Sequence, residues 1–452
     1  MSFPAYPTYK DSGGEWIGAI PDHWLASPLK RAFKIEGGST PTPDEVNWNG
    51  DIAWVTPADL SGLSSLFLDG SKRTITATGL ASCGTTLLPA GSLILSTRAP
   101  IGSLAIALIS MCTNQGCKGL VPNANASAVY FAFVLLTAKD ELNNRGRGST
   151  FLEISGDELS RFSVPTPPFA EQTQIARFLD HETARIDVLI EEQQRLIELL
   201  KEKRQAVISH AVTKGLDPTV PMKDSGVEWL GEVPAHWERK RLKNISPFIT
   251  VGIVVNPSDY VAEEGLPFIY GGEVKEGLIE VDKARKISLK DSLRNRKTML
   301  EAGDIVTMRV GYPGLTAVVP PECEGGNCAS VMLVKRGGFD SRWLCAVMNS
   351  RLVRQQVEVV QYGAAQKQFN IADAIEFWMF KPPFSEQATI AEFVEEQSSI
   401  FDELMAESEN SMALLQERRS ALISAAVTGK IDVRGWQAPA SATTPQLEQE
   451  AV

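Results

Sequence analysis

The sequence predicts an α+β protein made of two similar α/β domains separated by two long antiparallel helices, which form a coiled-coil spacer within an internal pseudo-two-fold repeat. Three observations predict this fold. Several segments occur twice, a long stretch lacks Pro and Gly, and short apolar runs lie between Gly, Pro and Asn residues. The 452 residues, of which 43% are hydrophobic and 22% charged, are ordinary for a globular chain of about two to four domains.

The repeat consists of three pairs of matching segments. KDSGGEWIGAIPDHW at 10–24 returns as KDSGVEWLGEVPAHW at 223–237, PFAEQ at 168–172 returns as PFSEQ at 383–387, and AVISHAVT at 206–213 returns as ALISAAVT at 421–428. Solenoid units repeat every ~20–50 residues, which is far shorter than the spacing here. The repeat therefore indicates a duplicated domain pair, and a duplicated chain suits a target with two similar halves.

Two long helical regions are predicted at 166–216 and 382–432. The first region contains no Pro and no Gly from 171 to 212, Pro residues precede both regions, and Gly215 and Gly429 lie near their ends. At 1.5 Å per residue, each helix would be roughly 60 Å long. Apolar residues at intervals of three, four and seven predict two helices that pack along each other, with a plain helical core as the alternative. The predicted stripe consists of Ile186, Leu189, Leu196, Leu200 and Val207 in the first region, and of Phe401, Leu404, Ser411, Leu415 and Leu422 in the second.

The two α/β domains are predicted at 1–165 and 217–381. Short apolar runs such as 92–95 and 304–308 lie between turn-forming residues, which is typical of strands. From 433 to 452 the chain is rich in Ala, Pro, Thr and Gln, which predicts a disordered tail.

Composition excludes several classes of protein. No run of about 18 apolar residues could span a membrane, and the first residues lack the basic segment and apolar core of a signal peptide. Six cysteines are too few for a disulfide scaffold of this size, so we expect a reducing cytoplasm. The net charge of -11 argues against a general nucleic-acid coat, yet it permits local basic patches.

The motifs of catalysis are absent from the sequence. There is no G-x-x-x-x-G-K-[ST] phosphate loop and no well-placed G-x-G-x-x-G after a strand. The cysteine pairs at 112/117 and 323/328 lack the flanking His that would complete a zinc site, so buried thiols are expected there. His23 and His236 each precede a Trp, which favours a structural role. The sequence thus predicts a binding protein and not an enzyme, with no cofactor and no metal of its own.

The candidate binding residues of the second α/β domain are mainly basic. A cluster of Lys and Arg can neutralise DNA phosphates, although a solvated helical face is the alternative. This basic run contains Lys283, Arg285, Lys286, Lys290, Arg294, Arg296 and Lys297. A second candidate group in the same domain consists of Gln366, Lys367 and Gln368, which correspond to a basic loop of the first domain.

The candidates of the first α/β domain are a loop with Arg145, Arg147 and Thr150, and the residues Asn114, Gln115 and Lys118. Arg can contact phosphate or a guanine edge, and amides can read adenine. Asn beside Gly is more often part of a turn. We align Asn114 with Asn327 of the second domain. Two further arginines, Arg98 and Arg309, each follow a strand and either anchor DNA or pair with a carboxylate.

The duplicated combination resembles the specificity subunit of type I restriction-modification systems, over about residues 10–432. The features that carry the resemblance are the paired K-D-S-G-x-E-W-x-G-x-x-P-x-H-W segments, the paired P-F-x-E-Q helix starts, and the islands around Asn114-Gln115 and Gly363-x-x-x-Lys367. The α/β domains differ more from each other than the helices do. Divergent domains on matched helices suit an asymmetric, two-part DNA site whose half-site spacing the helices set.

The resemblance implies a non-catalytic subunit that binds double-stranded DNA in a prokaryotic cytoplasm. Two target-recognition domains would each read one half of a bipartite gapped site, and the helical regions would dock two methyltransferase subunits. Those partners would hold S-adenosylmethionine and methylate adenine, and two restriction subunits that translocate and cut DNA would serve phage defence. The alternative function is a coiled-coil scaffold that binds only proteins, without sequence-specific DNA binding.

Overall fold

A computed structural model describes residues 3–63, 65–98, 100–147, 152–364 and 366–439. The chain divides into two compact units: residues up to 193 together with those from 411 onward, and residues 194–410. Each unit contains one α/β head and one half of each of two long helices. The predicted α+β class is confirmed.

The first head precedes the first long helix, α6. Its strands are β1 (Tyr9–Asp11), β2 (Ala19–Pro21), β3 (Leu25–Pro28), β4 (Phe33–Gly37), β5 (Trp48–Val55), β6 (Phe67–Leu68), β7 (Thr74–Ile75), β8 (Leu93–Ser96), β9 (Leu104–Ala107), β10 (Met111–Thr113), β11 (Cys117–Pro122) and β12 (Ser163–Thr166). Its helices are α1 (Pro57–Leu60), α2 (Ala77–Ser82), α3 (Ala128–Thr137), α4 (Lys139–Asn144) and α5 (Gly156–Arg161), followed by α6 (Phe169–Lys214).

The second head lies between the two long helices in sequence. Its strands are β13 (Met222–Asp224), β14 (Glu232–Pro234), β15 (Glu238–Arg241), β16 (Ile249–Val251), β17 (Val261–Ala262), β18 (Leu266–Ile269), β19 (Arg285–Ile287), β20 (Ile305–Thr307), β21 (Thr316–Val318), β22 (Asn327–Cys328), β23 (Met332–Val334) and β24 (Trp378–Lys381). Its helices are α7 (Leu289–Arg294), α8 (Ser341–Asn349), α9 (Arg351–Val360) and α10 (Ile371–Ala374), followed by α11 (Phe384–Val427).

Both heads contain two corresponding sheets. The first sheet has five strands in the first head, in the order β4-β11-β8-β9-β6, and four in the second, in the order β16-β23-β20-β21. The second sheet has three strands in the first head, in the order β10-β5-β7, and four in the second, in the order β17-β19-β18-β22, and in both heads it contains one parallel and at least one antiparallel strand pair. Each head contains a large cluster of buried apolar side chains, and burial of this apolar surface holds the head together.

The repeated segments meet at the start of α6. His23 and Trp24, which end the first copy of the long repeated segment, both bind the carboxylate of Glu171 in the first turn of the helix. The Trp24 Nε1–H donates to Oε1 at 3.1 Å, and the His23 Nε2 lies 2.8 Å from Oε2. Tyr6 also donates its hydroxyl hydrogen to Glu171. This clamp explains why the two motifs occur together.

The second copy forms the same clamp. His236 and Trp237 bind Glu386 at the start of α11, with Nε2–Oε2 and Nε1–Oε1 distances of 2.8 and 3.0 Å. Glu386 is about four times as exposed as Glu171, at 29% against 7%. The clamp of the second unit is therefore more exposed to solvent than the clamp of the first.

The glutamines that follow these glutamates connect each long helix to its head. Gln172 accepts a hydrogen bond from the backbone N–H of Ser127, the N-cap of α3, and Gln387 accepts one from Asp340, the N-cap of α8. Each glutamine also donates to a proline carbonyl five residues earlier. The repeated Glu-Gln pair thus has a structural role in both copies.

Within each unit, the halves of α6 and α11 run antiparallel. In the first unit Glu171 and Gly429 both lie against Trp24, while further along the helices Asp187 pairs with Arg419 at 2.7 and 3.2 Å. Residue numbers rise along one helix as they fall along the other. The equivalent pair of the second unit is Asp402 and Arg204, 3.6 Å apart.

The predicted apolar stripe is wrong at several positions. Ile186 and Phe401 are buried as expected, but Leu189, Leu196 and Leu404 are exposed. Buried positions that the prediction omitted include Ile197, Ile208, Ser408 and Ile423. The physical reason is that a helix has several leucines on more than one face, and spacing alone does not say which face meets its partner.

The segment that follows α11 packs against the first half of α6. Val433 is buried, and Trp436 packs edge-on against Phe178 with ring centroids 5.4 Å apart. Gln174 donates to the carbonyls of Val433 and Trp436 at 3.1 and 2.6 Å. The disordered tail that we predicted from 433 onward is therefore wrong for 433–436, and 440–452 lie outside the described residues.

Candidate nucleic-acid interface

The candidate interface consists of two loops in each head that backbone hydrogen bonds join. In the second head, Gly311 donates to the carbonyl of Lys367 at 3.0 Å, and Tyr362 and Gln368 exchange hydrogen bonds at 2.8 and 2.9 Å. In the first head, Arg147 and Glu153 exchange the equivalent pair at 3.0 and 3.1 Å, and Arg98 forms a bridge with Glu153. The structure therefore brings together, in each head, two groups of predicted residues that are far apart in sequence.

Strand pairing shows how Arg98 and Arg309 are placed relative to each other in the two heads. Leu95 pairs with Leu104 in the first head as Thr307 pairs with Thr316 in the second. Arg309 therefore corresponds to the residue before Arg98, and the two arginines are not equivalent. Their contacts differ as well.

Two of the predicted arginines of the first head already have carboxylate partners. Arg98 pairs through Nε with Glu153 at 2.9 Å, and Arg145 pairs with Glu141 at 2.9 Å and Glu158 at 3.4 Å. Arg145 additionally lies over the ring of Phe162. A DNA phosphate would have to compete with these carboxylates, so the contacts favour a structural role for Arg98 and Arg145.

The other basic residue of this loop is free to contact a ligand. Arg147 is exposed and has no ion pair among the described residues. Thr150 lies outside the described residues.

Asn114 forms the turn that we named as the alternative. Its side-chain oxygen accepts a hydrogen bond from the N–H of Gly116 at 2.9 Å. The alignment of Asn114 with Asn327 is wrong. The backbone N–H of Asn114 donates to the carbonyl of Val55, and the backbone N–H of Ala329 donates in the same way to the carbonyl of Ile269, so Asn114 corresponds to Ala329.

Asn327 itself is fully buried. It donates to the carbonyl of Asn295 at 3.0 Å and to the hydroxyl of Thr298 at 2.9 Å. Close to the Asn114 turn, Gln115 is exposed and accepts a hydrogen bond from Thr40, whereas Lys118 is half-buried on the wall of a cleft of about 590 Å³.

The basic run of the second head is not one helical face. It extends over a 3₁₀ turn, strand β19, helix α7 and a second 3₁₀ turn, because Ser288 and Asp291 form a cap that starts α7 in the middle of the run. Lys283 pairs with Glu280 at 2.7 Å, and Arg294 pairs with Asp291 at 3.4 Å. The members that are exposed and without an ion pair among the described residues are Arg285, Lys286, Lys290, Arg296 and Lys297.

The candidates beside the second-head loop have mixed surroundings. Arg309 donates through Nε to the carbonyl of Phe369 at 3.1 Å, which fixes its side chain against its own head. Gln366 and Lys367 are exposed, and Gln368 is half-buried. Tyr312, in the adjoining turn, is 75% exposed. Sequence reasoning missed Tyr312, since a single Tyr in a Gly-Tyr-Pro turn carries no pattern.

A second residue that sequence reasoning missed is Arg73 of the first head. It lies beside β7 with its guanidinium carbon 3.9 Å from the ring centroid of Trp48 and 5.1 Å from that of Trp54. A weak signal was available. RTIT at 73–76 and RKIS at 285–288 match in type, and both precede a short helix.

The cysteines do not form a metal site in the part of the chain that the structure describes. No group of three or more His, Cys, Asp or Glu side chains there could hold a metal ion. Burial raises the pKa of Cys112 and Cys117 to about 12, so both thiols stay protonated at neutral pH. Among the described residues, no helix is long and apolar enough to cross a membrane.

Comparison with known proteins identifies relatives of one kind. Residues 21–200 match the family model described as "Type I restriction modification DNA specificity domain". The MjaIX specificity subunit of a type I restriction enzyme from Methanocaldococcus jannaschii is 29% identical over 296 residues, which cover 63% of this chain and 67% of that protein. The EcoBI specificity subunit from Escherichia coli is 25% identical over 336 residues, which cover 71% and 69%.

Two solved structures have a similar fold. A chain from a study of complex assembly and conformational transition in the type I R-M system has a TM-score of 0.72 at 16% identity, covering 91% of this chain and 99% of that one. The HsdS subunit from Thermoanaerobacter tengcongensis has a TM-score of 0.53 at 15% identity, covering 91% and 98%. At these identities the likeness concerns the fold alone.

Proposed function

The chain belongs to the specificity subunits of type I restriction-modification systems, and from this membership we propose that its two heads read the two halves of a bipartite, gapped DNA site. One observation carries the proposal. The heads share their sheets and their clamps to the long helices, yet the exposed side chains on their paired loops differ. A common frame with different surface groups suits two half-sites of different sequence.

We place the two target-recognition domains at 1–165 and 217–381 and the connecting helical regions at 166–216 and 382–432. DNA contact falls to predicted basic and amide side chains that have no ion pair among the described residues and that retain solvent exposure. These are Gln115, Lys118 and Arg147 in the first domain, and Arg285, Lys286, Arg296, Lys297, Gln366, Lys367 and Gln368 in the second. Arg98, Asn114, Arg145, Lys283, Arg294 and Arg309 act mainly within their own head, given their contacts.

The long helices dock two methyltransferase subunits in this proposal. Val188, Leu189 and Leu199 of α6 and Leu404 and Leu414 of α11 are exposed. Apolar side chains at such positions gain free energy when a partner covers them. The partners hold S-adenosylmethionine and methylate adenine, while this chain supplies no catalytic group. Two restriction subunits complete the nuclease form.

Methylation mapping tests the proposal. The chain is combined with the modification subunits of its own system, and methylated adenines are mapped on genomic DNA. A single bipartite motif with a fixed gap is expected. Scattered methylation, or a motif without a gap, would contradict the proposal. The scaffold alternative predicts no sequence preference, and the match to a DNA specificity domain gives that alternative no support.

A further inference from the structure

An exposed arginine lies on an aromatic ring in the second sheet of each head. In the first head, Arg73 stacks on Trp48 and Trp54. In the second head, the guanidinium carbon of Arg285 lies 4.3 Å from the ring centroid of Tyr270. Both arginines are exposed and have no ion pair among the described residues.

Strand pairing shows that the two arginines occupy equivalent positions. Trp54 donates its backbone N–H to the carbonyl of Arg73 at 3.1 Å, in the strand pair β5–β7. Phe268 pairs with Arg285 in the corresponding pair β18–β19. An aromatic residue therefore lies opposite the arginine in both sheets.

The chain that follows each arginine is also equivalent. Three residues after Arg73, Thr76 caps α2 by accepting the N–H of Gly79 at 3.0 Å. Three residues after Arg285, Ser288 caps α7 by accepting the N–H of Asp291 at 3.1 Å. Strand, arginine and capped helix thus recur as one unit.

Stacking determines what these arginines can bind. An aromatic ring against one face of a guanidinium restrains its plane, and the N–H groups along its edge stay free. Two other stacked arginines use those N–H groups internally: Arg145 pairs with Glu141 and Glu158, and Arg434 pairs with Asp432. Arg73 and Arg285 lack such a carboxylate among the described residues, so their N–H edges are available to an external acceptor.

We propose that Arg73 and Arg285 each bind a phosphate of the DNA backbone and set the position of their head on its half-site. The inference rests on the proposed function and names one contact of it. A phosphate is favoured over a base because the arginine is the same in two heads that otherwise differ in their exposed side chains. Contacts to the backbone carry no sequence information and can be kept while the sequence that is read changes.

The test is the salt dependence of DNA binding by the complete methyltransferase complex carrying Arg73→Gln, Arg285→Gln or both. Each lost phosphate contact lowers the slope of log K against log salt by about 0.9. The affinity advantage of the wild type over a single variant therefore shrinks about 3.5-fold between 50 and 200 mM salt. Affinity falls equally for the cognate site and for unrelated DNA, and the methylated motif stays the same.

Arg239→Gln is the matched control. Arg239 is exposed and stacks on Trp378 at 4.4 Å, but it belongs to the pair β15–β24, and Ala26 occupies its place in the first head. Arg239→Gln removes the same charge and the same kind of arginine–aromatic stacking, and its slope of log K against log salt is expected to equal that of the wild type. A slope that falls as much as for Arg285→Gln would overturn the proposal, because net charge would then explain the effect.

Two further outcomes decide the matter. An unchanged slope in the double variant overturns the proposal, and a motif that relaxes at one base overturns the phosphate assignment. Melting curves of the variants confirm that each one is folded before its binding is compared. A wild-type complex without a bipartite motif would instead refute the proposed function, so the two failures are distinguishable.

Discussion

Replacement of Glu171 by Ala is expected to destabilise the first unit more than the equivalent Glu386→Ala change destabilises the second. Glu171 accepts hydrogen bonds from the hydroxyl of Tyr6 and the indole of Trp24, and both donor residues are almost fully buried. Alanine removes the shared acceptor of both donors, which are almost wholly removed from solvent. In Glu386→Ala, the buried donor that loses its acceptor is the indole N–H of Trp237.

The magnitude follows from the number of buried donors. Each buried donor left without a partner costs about 1–3 kcal/mol. The two unpaired donors around Glu171 then cost about 3 kcal/mol together, toward the lower end of twice that range. Glu386 is 29% exposed, so water can reach its tryptophan and about 1 kcal/mol is expected. In domains of this size, 1 kcal/mol lowers Tm by about 2–4 °C, which gives a fall of about 6–12 °C against about 2–4 °C.

Hydrogen exchange measured by mass spectrometry, together with calorimetry, can assign each transition to one unit. Peptides from the first head should lose protection in Glu171→Ala while peptides from the second head keep theirs. The Gln variants serve as controls, since an amide oxygen keeps one acceptor and should cost less than alanine in each unit. Equal losses of stability in the two alanine variants would refute the reasoning, because they would show that burial of the clamp does not set its strength.

The remaining predictions concern the ends of the long helices. Gly429→Ala should lower the free energy of unfolding by about 2 kcal/mol or more, because the φ of Gly429 is +74° and a Cβ would lie 2.4 Å from Pro21. Gly215→Ala should lower it by about 1 kcal/mol, because the φ of Gly215 is +76° but a Cβ would meet nothing closer than 3.4 Å. Equal shifts of the denaturation midpoint in the two variants would contradict this prediction. The hydrogen bonds from Arg434 hold the pKa of Asp432 below its usual value, so the stabilisation is present above the unfolded pKa of about 3.9 and lost as pH falls through the lower folded value. Asp432→Asn should therefore lower Tm at pH 7, and the Tm difference from the wild type should shrink as pH falls below about 3.9. A Tm difference that stays the same as pH falls would exclude the charge of this pair as its source.

The sequence predicted the features that depend on repetition and on backbone pattern. The duplicated segments, the two long helices and the structural role of His23 and His236 could all be inferred, because equal residues at equal positions must serve equal contacts. The face that each helix buries could not be inferred. Leu189 and Ile186 satisfy the same spacing rule, and only the position of the partner helix distinguishes them.

The candidate site shows the same limit. Arg145 and Arg147 look alike as DNA ligands in the sequence, but Glu141, one helical turn earlier, and Glu158 of α5 pair with only the first. The i, i+4 spacing of Glu141 and Arg145 is visible in the sequence, but the extent of α4 and the position of Glu158 beside its end depend on the fold. Arg73 was missed because its partners Trp48 and Trp54 lie on a neighbouring strand, and the match of RTIT at 73–76 with RKIS at 285–288 is too short to stand out in the sequence.

Exchange of one head is the most direct test of the account that two independent heads read one divided site. Residues 1–165 are replaced by the corresponding domain of another specificity subunit, and adenine methylation by the reconstituted complex is mapped on genomic DNA. The account predicts that one half of the motif changes while the other half and the gap stay the same. A motif that changes in both halves, or that keeps both halves unchanged, would contradict the assignment of one half-site to each head.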